Sequence, residues 1–363
     1  MNSKKIAVLC NYELLTERVG GMDHFFWMFD ATCKENGIQV DWFFPNQSLH
    51  GDYSKLTVFS SNHQNVENYF LGFCTQNPSD YSYVITHFIE LCTPFFKKIK
   101  KISTAKIIAV DHNPRPIHGY PFKKKIEKKI KGFLFSKYIN QFIGVSDYTV
   151  KELIKDFGFQ IKTKTHIIHN GIALEDIQVR QKRNATKPSF LTASHLRESK
   201  GIQDLIQAVF ILPEEIKKEI VIAVYGDGPY KKELENKIAG LSLQRCFNFM
   251  GSHSDLKSIY CEYDYLIHPS YEETFCYAVV ESLAANTTVI TTKEGGNVLG
   301  IITHLDNGFL YEAKKIKELS DLIIQIWIGE FKIEKNTRSD IENHFSLDRM
   351  VENHLALLFT NKF

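Results

Sequence analysis

Two runs of alternating strand-like and helix-like segments, separated by one polar stretch, constrain this chain more than any single motif in it. In the first run "KKIAVLC", "IQVDWFF", "YSYVITHF", "AKIIAVDHN", "NQFIGVS" and "THIIHNG" are short β-branched and aromatic segments bounded by turn residues, the signature of strands. "GMDHFFWMFDATCKENG" lies between the first two, with apolar residues at helical spacing as far as Gly37. After "NGIALEDIQVRQKRNATKPS" the rhythm restarts with the strands "FLTAS", "EIVIAVYG", "FNFMG", "YLIHPS" and "TVITT" and the helices "GIQDLIQAVFIL" and "YKKELENKIAGLSL". Strands that alternate with helices must pair in parallel through crossovers, which calls for an α/β sheet covered on both faces. The expected architecture is two Rossmann-like domains, residues 1–175 and 186–346, facing a cleft, with a linker near 176–188. The last periodic segment, residues 347–363, is a helix that pattern alone assigns to neither domain; a return onto the first is its candidate placement.

Composition narrows the class. At 44% apolar and 24% charged residues the chain is an ordinary globular one. It has no run of 18 apolar residues that would span a membrane. The N-terminal apolar run lacks a small-residue cleavage site and reads as a strand; the scattered cysteines fit a reducing cytoplasm, which is the expected location. Seven cysteines, an odd number with no C-x-x-C pair, fit free thiols better than disulfides or a zinc site. The net charge of +2 conceals an asymmetry, because residues 94–137 carry thirteen Lys and Arg against two acids.

The chemistry concentrates in "HPSYEETFCYAVVESLAANTTVITT", from His268 to Thr292. A buried strand is followed by a segment in which Phe275, Val279, Leu283 and Ala284 fall near one helical face. Glu273 is placed in the turn and Glu281 two turns into the helix, roughly 12 Å away at 1.5 Å per residue. Between them the N–H groups of Thr274, Phe275 and Cys276 are read as the free donors of a helix N-terminus, suited to an anion. Ionised carboxylates only accept, so each acid suits hydroxyl donors. A diphosphate with a sugar at one end and a ribose at the other fits this spacing. Alternatively, both acids are ordinary surface charges near a helix start.

Taken in order, these pieces resemble the retaining glycosyltransferases of family 4, which share the two-domain GT-B fold. Glu273 and Glu281 match the Glu-x(7)-Glu signature, with the family's Phe at Phe275 and its Pro-Ser at Pro269-Ser270. "SHLRESKGIQDLIQAV" is similar to the Lys-Gly segment, "VYGDGPYKKELENKIAGLSL" with "FNFMG" to the Gly-x-Gly-Pro and Phe-x-Gly segments, and "VGGMDHFFWMF" to the Gly-Gly loop. The resemblance implies that Glu273 contacts the donor sugar, Glu281 the ribose and Lys200 the donor phosphates. It implies that Gly20 and Gly21 allow close backbone approach, and that the base lies near Gly251, Ser252 and His253. His112, in "VDHNPRP", is similar to a histidine facing the reacting sugar, whereas His87 is read as structural. Some positions depart from the pattern. The expected phosphate-binding Arg is His195, with Arg197 offset by two; position 276 is Cys where Gly is usual, and Asn286 also replaces Gly. "CEYDY" is read as surface rather than metal site.

What the resemblance implies is retaining, metal-independent transfer from a nucleotide-sugar, expected to be a UDP-sugar, to a glycan or lipid-linked acceptor. Bacterial surface polysaccharide or lipopolysaccharide synthesis is the expected setting, with no cofactor. A non-catalytic carbohydrate or nucleotide-sugar binder and an epimerase on the same fold are the alternatives. A dehydrogenase is disfavoured because no G-x-G-x-x-G follows the first strand. In "YPFKKKIEKKIKGFLFSK", Phe122, Ile126, Ile130 and Phe133 share one helical face, with Lys123, Lys124, Lys128 and Lys131 elsewhere. Two readings stay open: the apolar face packs on the first domain's sheet, or the helix lies at an anionic membrane surface, making the chain peripheral at the inner face. Nucleic-acid binding lacks a recognition module.

Overall fold

The computed structural model describes residues 4–16, 19–78, 80–116, 119–181, 187–253 and 255–359. The chain divides into two compact units, one formed by Met1–Gly171 with Leu347–Phe363 and the other by Ile172–Ser346.

The strands of the first unit are β1 (Lys5–Cys10), β2 (Gln39–Phe44), β3 (Thr57–Ser60), β4 (Tyr83–His87), β5 (Lys106–Asp111), β6 (Gln141–Gly144) and β7 (Thr165–Ile167). They pair in parallel in the order β3-β2-β1-β4-β5-β6-β7. Helices α1 (Gly21–Glu35), α2 (Val66–Gln76), α3 (Pro94–Ile102), α4 (Phe122–Phe135) and α5 (Asp147–Phe157) make the crossovers. Ile6, Ala7, Val8 and Leu9 are fully buried, as a parallel strand covered on both faces requires. β1 pairs with both β2 and β4, so the order reverses there, and the β1/β4 register sets Cys10 level with His87 at the carboxyl ends.

The second unit contains β8 (Phe190–Ala193), β9 (Ile222–Tyr225), β10 (Phe247–Gly251), β11 (Tyr265–His268), β12 (Thr288–Thr292) and β13 (Gly308–Tyr311), in the parallel order β10-β9-β8-β11-β12-β13. Its helices are α6 (Ile202–Phe210), α7 (Glu214–Lys217), α8 (Lys231–Gly240), α9 (Leu256–Ile259), α10 (Tyr277–Ala284), α11 (Ile316–Trp327) and α12 (Arg338–Phe345). This is the doubly wound order in which connections leave β8 and β11 in opposite directions. Ligands of such sheets bind outside the carboxyl ends of those two strands.

Helix α13 (Leu347–Phe359) packs on α1 of the first unit, with the His354 ring 4.7 Å from Phe25 and the Lys4 ammonium donating to the Leu358 carbonyl at 3.0 Å. Two readings of the sequence need correction. The stretch taken as a linker from residue 176 is bound into the second unit as far as it is described. Ile172, Ala173 and Ile177 are buried, and Arg180 pairs with Asp264 at 3.2 Å; residues 182–186, within that stretch, lie outside the described residues. Asp264, in the "CEYDY" motif read as surface, is buried and accepts from the Ser189 amide and hydroxyl at 3.0 Å each.

Candidate functional site

In the second unit the loops that follow β8, β9, β10 and β11 meet at the carboxyl edge of the sheet. The β8 loop ends at Gly201 with φ +68, and a Cβ there would lie 2.0 Å from the Pro269 carbonyl oxygen in the β11 loop. Only glycine lets these two backbones touch. That contact delivers Lys200 to the β11 loop, where its ammonium sits 2.6 Å from Glu273 Oε1. His268, the last residue of β11, places Nε2 3.0 Å from the same oxygen and 3.1 Å from Cys276 Sγ.

Burial alone would raise the Glu273 carboxyl, but the hydrogen bond to His268 and the charge of Lys200 outweigh it and bring the pKa down to about 2. The site therefore holds a fixed carboxylate against a fixed cation. His268, Glu273 and Cys276 also offer nitrogen, oxygen and sulfur donors within 4.8 Å of one another. In this arrangement the carboxylate oxygen nearest His268 is already engaged by Lys200.

Helix α10 begins at Tyr277, and its N-cap, Cys276, is left-handed with φ +68. The reading of Thr274, Phe275 and Cys276 as the first helical residues is thus corrected. Cys276 turns the chain abruptly, so the helix starts only after it, and the 12 Å spacing derived for a continuous helix does not apply. The Phe275 side chain is buried against Tyr277 and Phe345 at ring distances of 5.0 and 5.9 Å, so it is core rather than ligand surface. Asn286, replacing the family's glycine, is left-handed at φ +59, which Asn tolerates better than most residues.

Beside the Glu273 cluster is a cavity of about 350 Å³ whose wall includes His195, Ser252, His253 and Glu281. Four residues from three separate places in the sequence are thereby brought together. Tyr225 and Tyr260, which sequence reasoning missed, also line it. The Tyr260 hydroxyl donates to Glu281 Oε2 at 3.2 Å, and the Tyr225 ring meets His253 edge-on at 5.5 Å. The cavity also takes in Ser194, whose hydroxyl oxygen is buried without a hydrogen-bond partner among the described residues. Burial lifts Glu281 to about 7 despite the opposing charge of Lys257 and the Tyr260 hydrogen bond. Desolvation and the charge of Arg197 push His195, which stands where an arginine was expected, below the usual histidine range. Arg197 itself is exposed and is not part of the cavity wall.

His112 and Gly21 belong to the other unit, at the carboxyl ends of β5 and β1. His112 Nε2 lies 2.9 Å from His87 Nδ1, and the His112 ring stacks on Phe88 at 4.5 Å. Burial lowers His112 to about 3 and His354 to about 4, so this cluster is neutral near pH 7. His354, missed from sequence, approaches His87 at 6.1 Å from α13. Gly21 opens α1, where the Gly20 amide donates to buried Asp23 at 2.8 Å. That carboxylate already supplies the negative charge a helix N-terminus favours.

With this geometry established, the chain can be set beside known proteins. Residues 175–343 match the family model described as glycosyl transferases group 1. The second unit is a glycosyl transferases group 1 domain. An uncharacterized glycosyltransferase of Methanocaldococcus jannaschii is 28% identical to the chain over 167 residues, 45% of this chain and 42% of that protein. An alpha-monoglucosyldiacylglycerol synthase of Streptococcus pneumoniae is 27% identical over 235 residues, 59% of this chain and 52% of that one. The chain thus matches about half the length of these relatives. Among solved structures, an Anabaena protein, HepE, in complex with UDP-glucose superposes with a TM-score of 0.75 at 17% identity, over 98% of this chain and 99% of that one. The fold that the group 1 domain shares with the first unit is GT-B.

Proposed function

We propose that the protein is a retaining glycosyltransferase that moves a sugar from a nucleotide-sugar, a UDP-sugar, to a glycan or lipid-linked acceptor. The observation that carries this reading is the Lys200–Glu273 pair at 2.6 Å on the β8 and β11 loops, next to a cavity walled by Glu281. A carboxylate held ionised can accept from sugar hydroxyls, and Glu281 can accept from a ribose. Lys200 provides a cation for the departing diphosphate, and its charge would be felt most as the glycosidic bond breaks. In a retaining reaction on one face of the sugar, the acceptor O–H passes its proton to the leaving phosphate oxygen, the C1–O(phosphate) bond breaks, and the C1–O(acceptor) bond forms on the same face. No side chain needs to be a strong base, and the protein's contribution is orientation and electrostatics. With Lys200 in this role the reaction proceeds without a divalent ion.

The UDP-sugar assignment is supported by the complex of the fold-mate HepE with UDP-glucose, and the lipid-linked acceptor by the diacylglycerol-based name of the Streptococcus relative. We place the reaction in bacterial surface polysaccharide or lipopolysaccharide synthesis, at the inner face of the membrane. The test is release of UDP from UDP-glucose and related donors, with and without a diacylglycerol or glycan acceptor, in the presence of a chelator. The reading requires turnover that Glu273→Gln abolishes, and a product whose anomeric coupling in NMR matches that of the donor. Binding without turnover would favour a carbohydrate or nucleotide-sugar binding protein, and isomerised donor an epimerase.

A further inference from the structure

The apolar stripe foreseen on α4 does not pack on the sheet. Phe122 is 77% exposed, Phe133 79% and Ile130 53%, and Ile126 and Leu134 are exposed with them. At 100° per residue, Phe122, Phe133, Ile126 and Ile130 occupy an arc of about 80°. The opposite face holds the helix to its unit. Lys128 reaches buried Asp156 at 3.1 Å, and Lys131 reaches Glu90 at 2.7 Å. Gly132 lies so close to α5 that a Cβ would be 2.0 Å from the Phe157 carbonyl oxygen. Lys124 pairs with Glu127. Of the four lysines noted on this helix from the sequence, Lys124, Lys128 and Lys131 are therefore tied within the helix or to the protein; Lys123 is exposed, and so are Lys125 and Lys129.

Large aromatic side chains left outward on a helix whose inner face is so firmly seated call for a partner. The chemistry of that partner follows from charge. A second copy of this face would set exposed lysines against lysines. A nucleic acid would satisfy the lysines and can stack on the aromatics, but it leaves the aliphatic Ile126 and Ile130 in water. An anionic bilayer satisfies both, since its interface takes aromatic side chains and its headgroups attract ammonium groups. The helix has 14 residues, about 21 Å at 1.5 Å each, too short to cross the hydrocarbon core but long enough to lie in its surface. No helix among the described residues is long and apolar enough to cross a membrane.

We infer that α4 is a membrane-docking helix, lying in the plane of an anionic lipid surface with Phe122, Ile126, Ile130 and Phe133 buried among the acyl chains and Lys123, Lys125 and Lys129 at the headgroups. Docking of this kind needs no sugar chemistry, so its test stands apart from that of the transferase reading. The full chain is sedimented with vesicles of phosphatidylcholine and with vesicles of equal parts phosphatidylcholine and phosphatidylglycerol. Binding to the mixed vesicles alone is expected, weakening with salt. The double variant Phe122→Ser/Phe133→Ser should lose about tenfold or more in partitioning. Each of Lys123→Gln, Lys125→Gln and Lys129→Gln should lose about fivefold. Because these side chains are exposed, melting temperature and donor hydrolysis in solution should be unchanged, which separates lost docking from lost folding. Failure of the natural chain to bind mixed vesicles would overturn the inference, as would undiminished binding by the double Phe variant. So would a dimer in solution that the double Phe variant converts to monomer, because the occupant would then be a second copy.

Discussion

Glu281 offers a quantitative test of the nucleotide site. Burial holds its carboxyl at about 7, so near neutral pH it is divided between acid and carboxylate. A ribose diol that donates hydrogen bonds to it stabilises the carboxylate, so the pKa in the complex must be lower than in the free protein. By linkage, donor affinity rises with pH through the free-protein pKa and levels off above it. Between about pH 6 and about pH 8 the ionised fraction grows from about 0.1 to about 0.9, so the dissociation constant should tighten nearly tenfold, about 1.3 kcal/mol. UDP-glucose is the right probe, because each of its phosphates is substituted by one ester and one anhydride link and keeps a single constant charge over this range. Isothermal titration of the natural chain and of Glu281→Gln at three pH values measures the effect, and the variant also controls for other groups that titrate there. The natural chain should show the slope and the variant should be flat. Equal slopes in the two proteins, or none in the natural chain, would refute the placement of Glu281 against the ribose. The same pKa fixes a stability trend. A carboxyl raised from its ordinary 4.5 to about 7 costs the fold progressively as pH rises from about 4.5 to about 7, by at most about 3 kcal/mol. Unliganded Glu281→Gln should therefore melt higher than the natural chain at about pH 8 and alike at about pH 4.5, because a protonated Glu resembles Gln.

Four further outcomes are expected. Lys200→Ala should lower kcat/KM by about 10²–10³ and raise the Glu273 pKa, readable by carbon NMR of the labelled carboxyl. Glu273 sits well below the ordinary carboxylate range, so it stabilises the second unit above about pH 4.5 and that contribution fades as pH falls toward about 2; Glu273→Gln should lower stability at neutral pH by about 2–3 kcal/mol in urea unfolding. Cys276→Gly removes a left-handed non-glycine residue worth about 1 kcal/mol, and a rise in melting temperature of about 2–4 °C checks it. His112→Ala should reduce kcat about a hundredfold if the imidazole meets the reacting sugar, with UDP affinity unaltered; because burial holds His112 near 3, the natural enzyme's rate profile should carry no limb from this residue between about pH 6 and about pH 8.

The sequence by itself determined the strand and helix rhythm, because a parallel strand such as Ile6–Leu9 writes its burial into consecutive apolar residues, and local backbone preference acts over the same few positions. It also singled out Glu273 and Glu281 by their spacing around a strand-to-helix turn, and Lys200 through the resemblance; the doubly wound order then brings the β8 loop that carries Lys200 to the edge where β11 leads into Glu273 and α10. Other features depended on contacts between distant parts of the chain. The approach of His354 to His87 joins residues 267 apart, the difference of their numbers, and exists only because α13 returns to α1. The start of α10 was displaced by one left-handed cysteine that the spacing of Phe275 and Val279 does not register. On α4, periodicity drew the apolar stripe correctly but is blind to which side of a helix meets the protein. That was decided by Asp156 and Glu90, which draw Lys128 and Lys131 inward, and by the close seat of Gly132 on α5, leaving the phenylalanines outside.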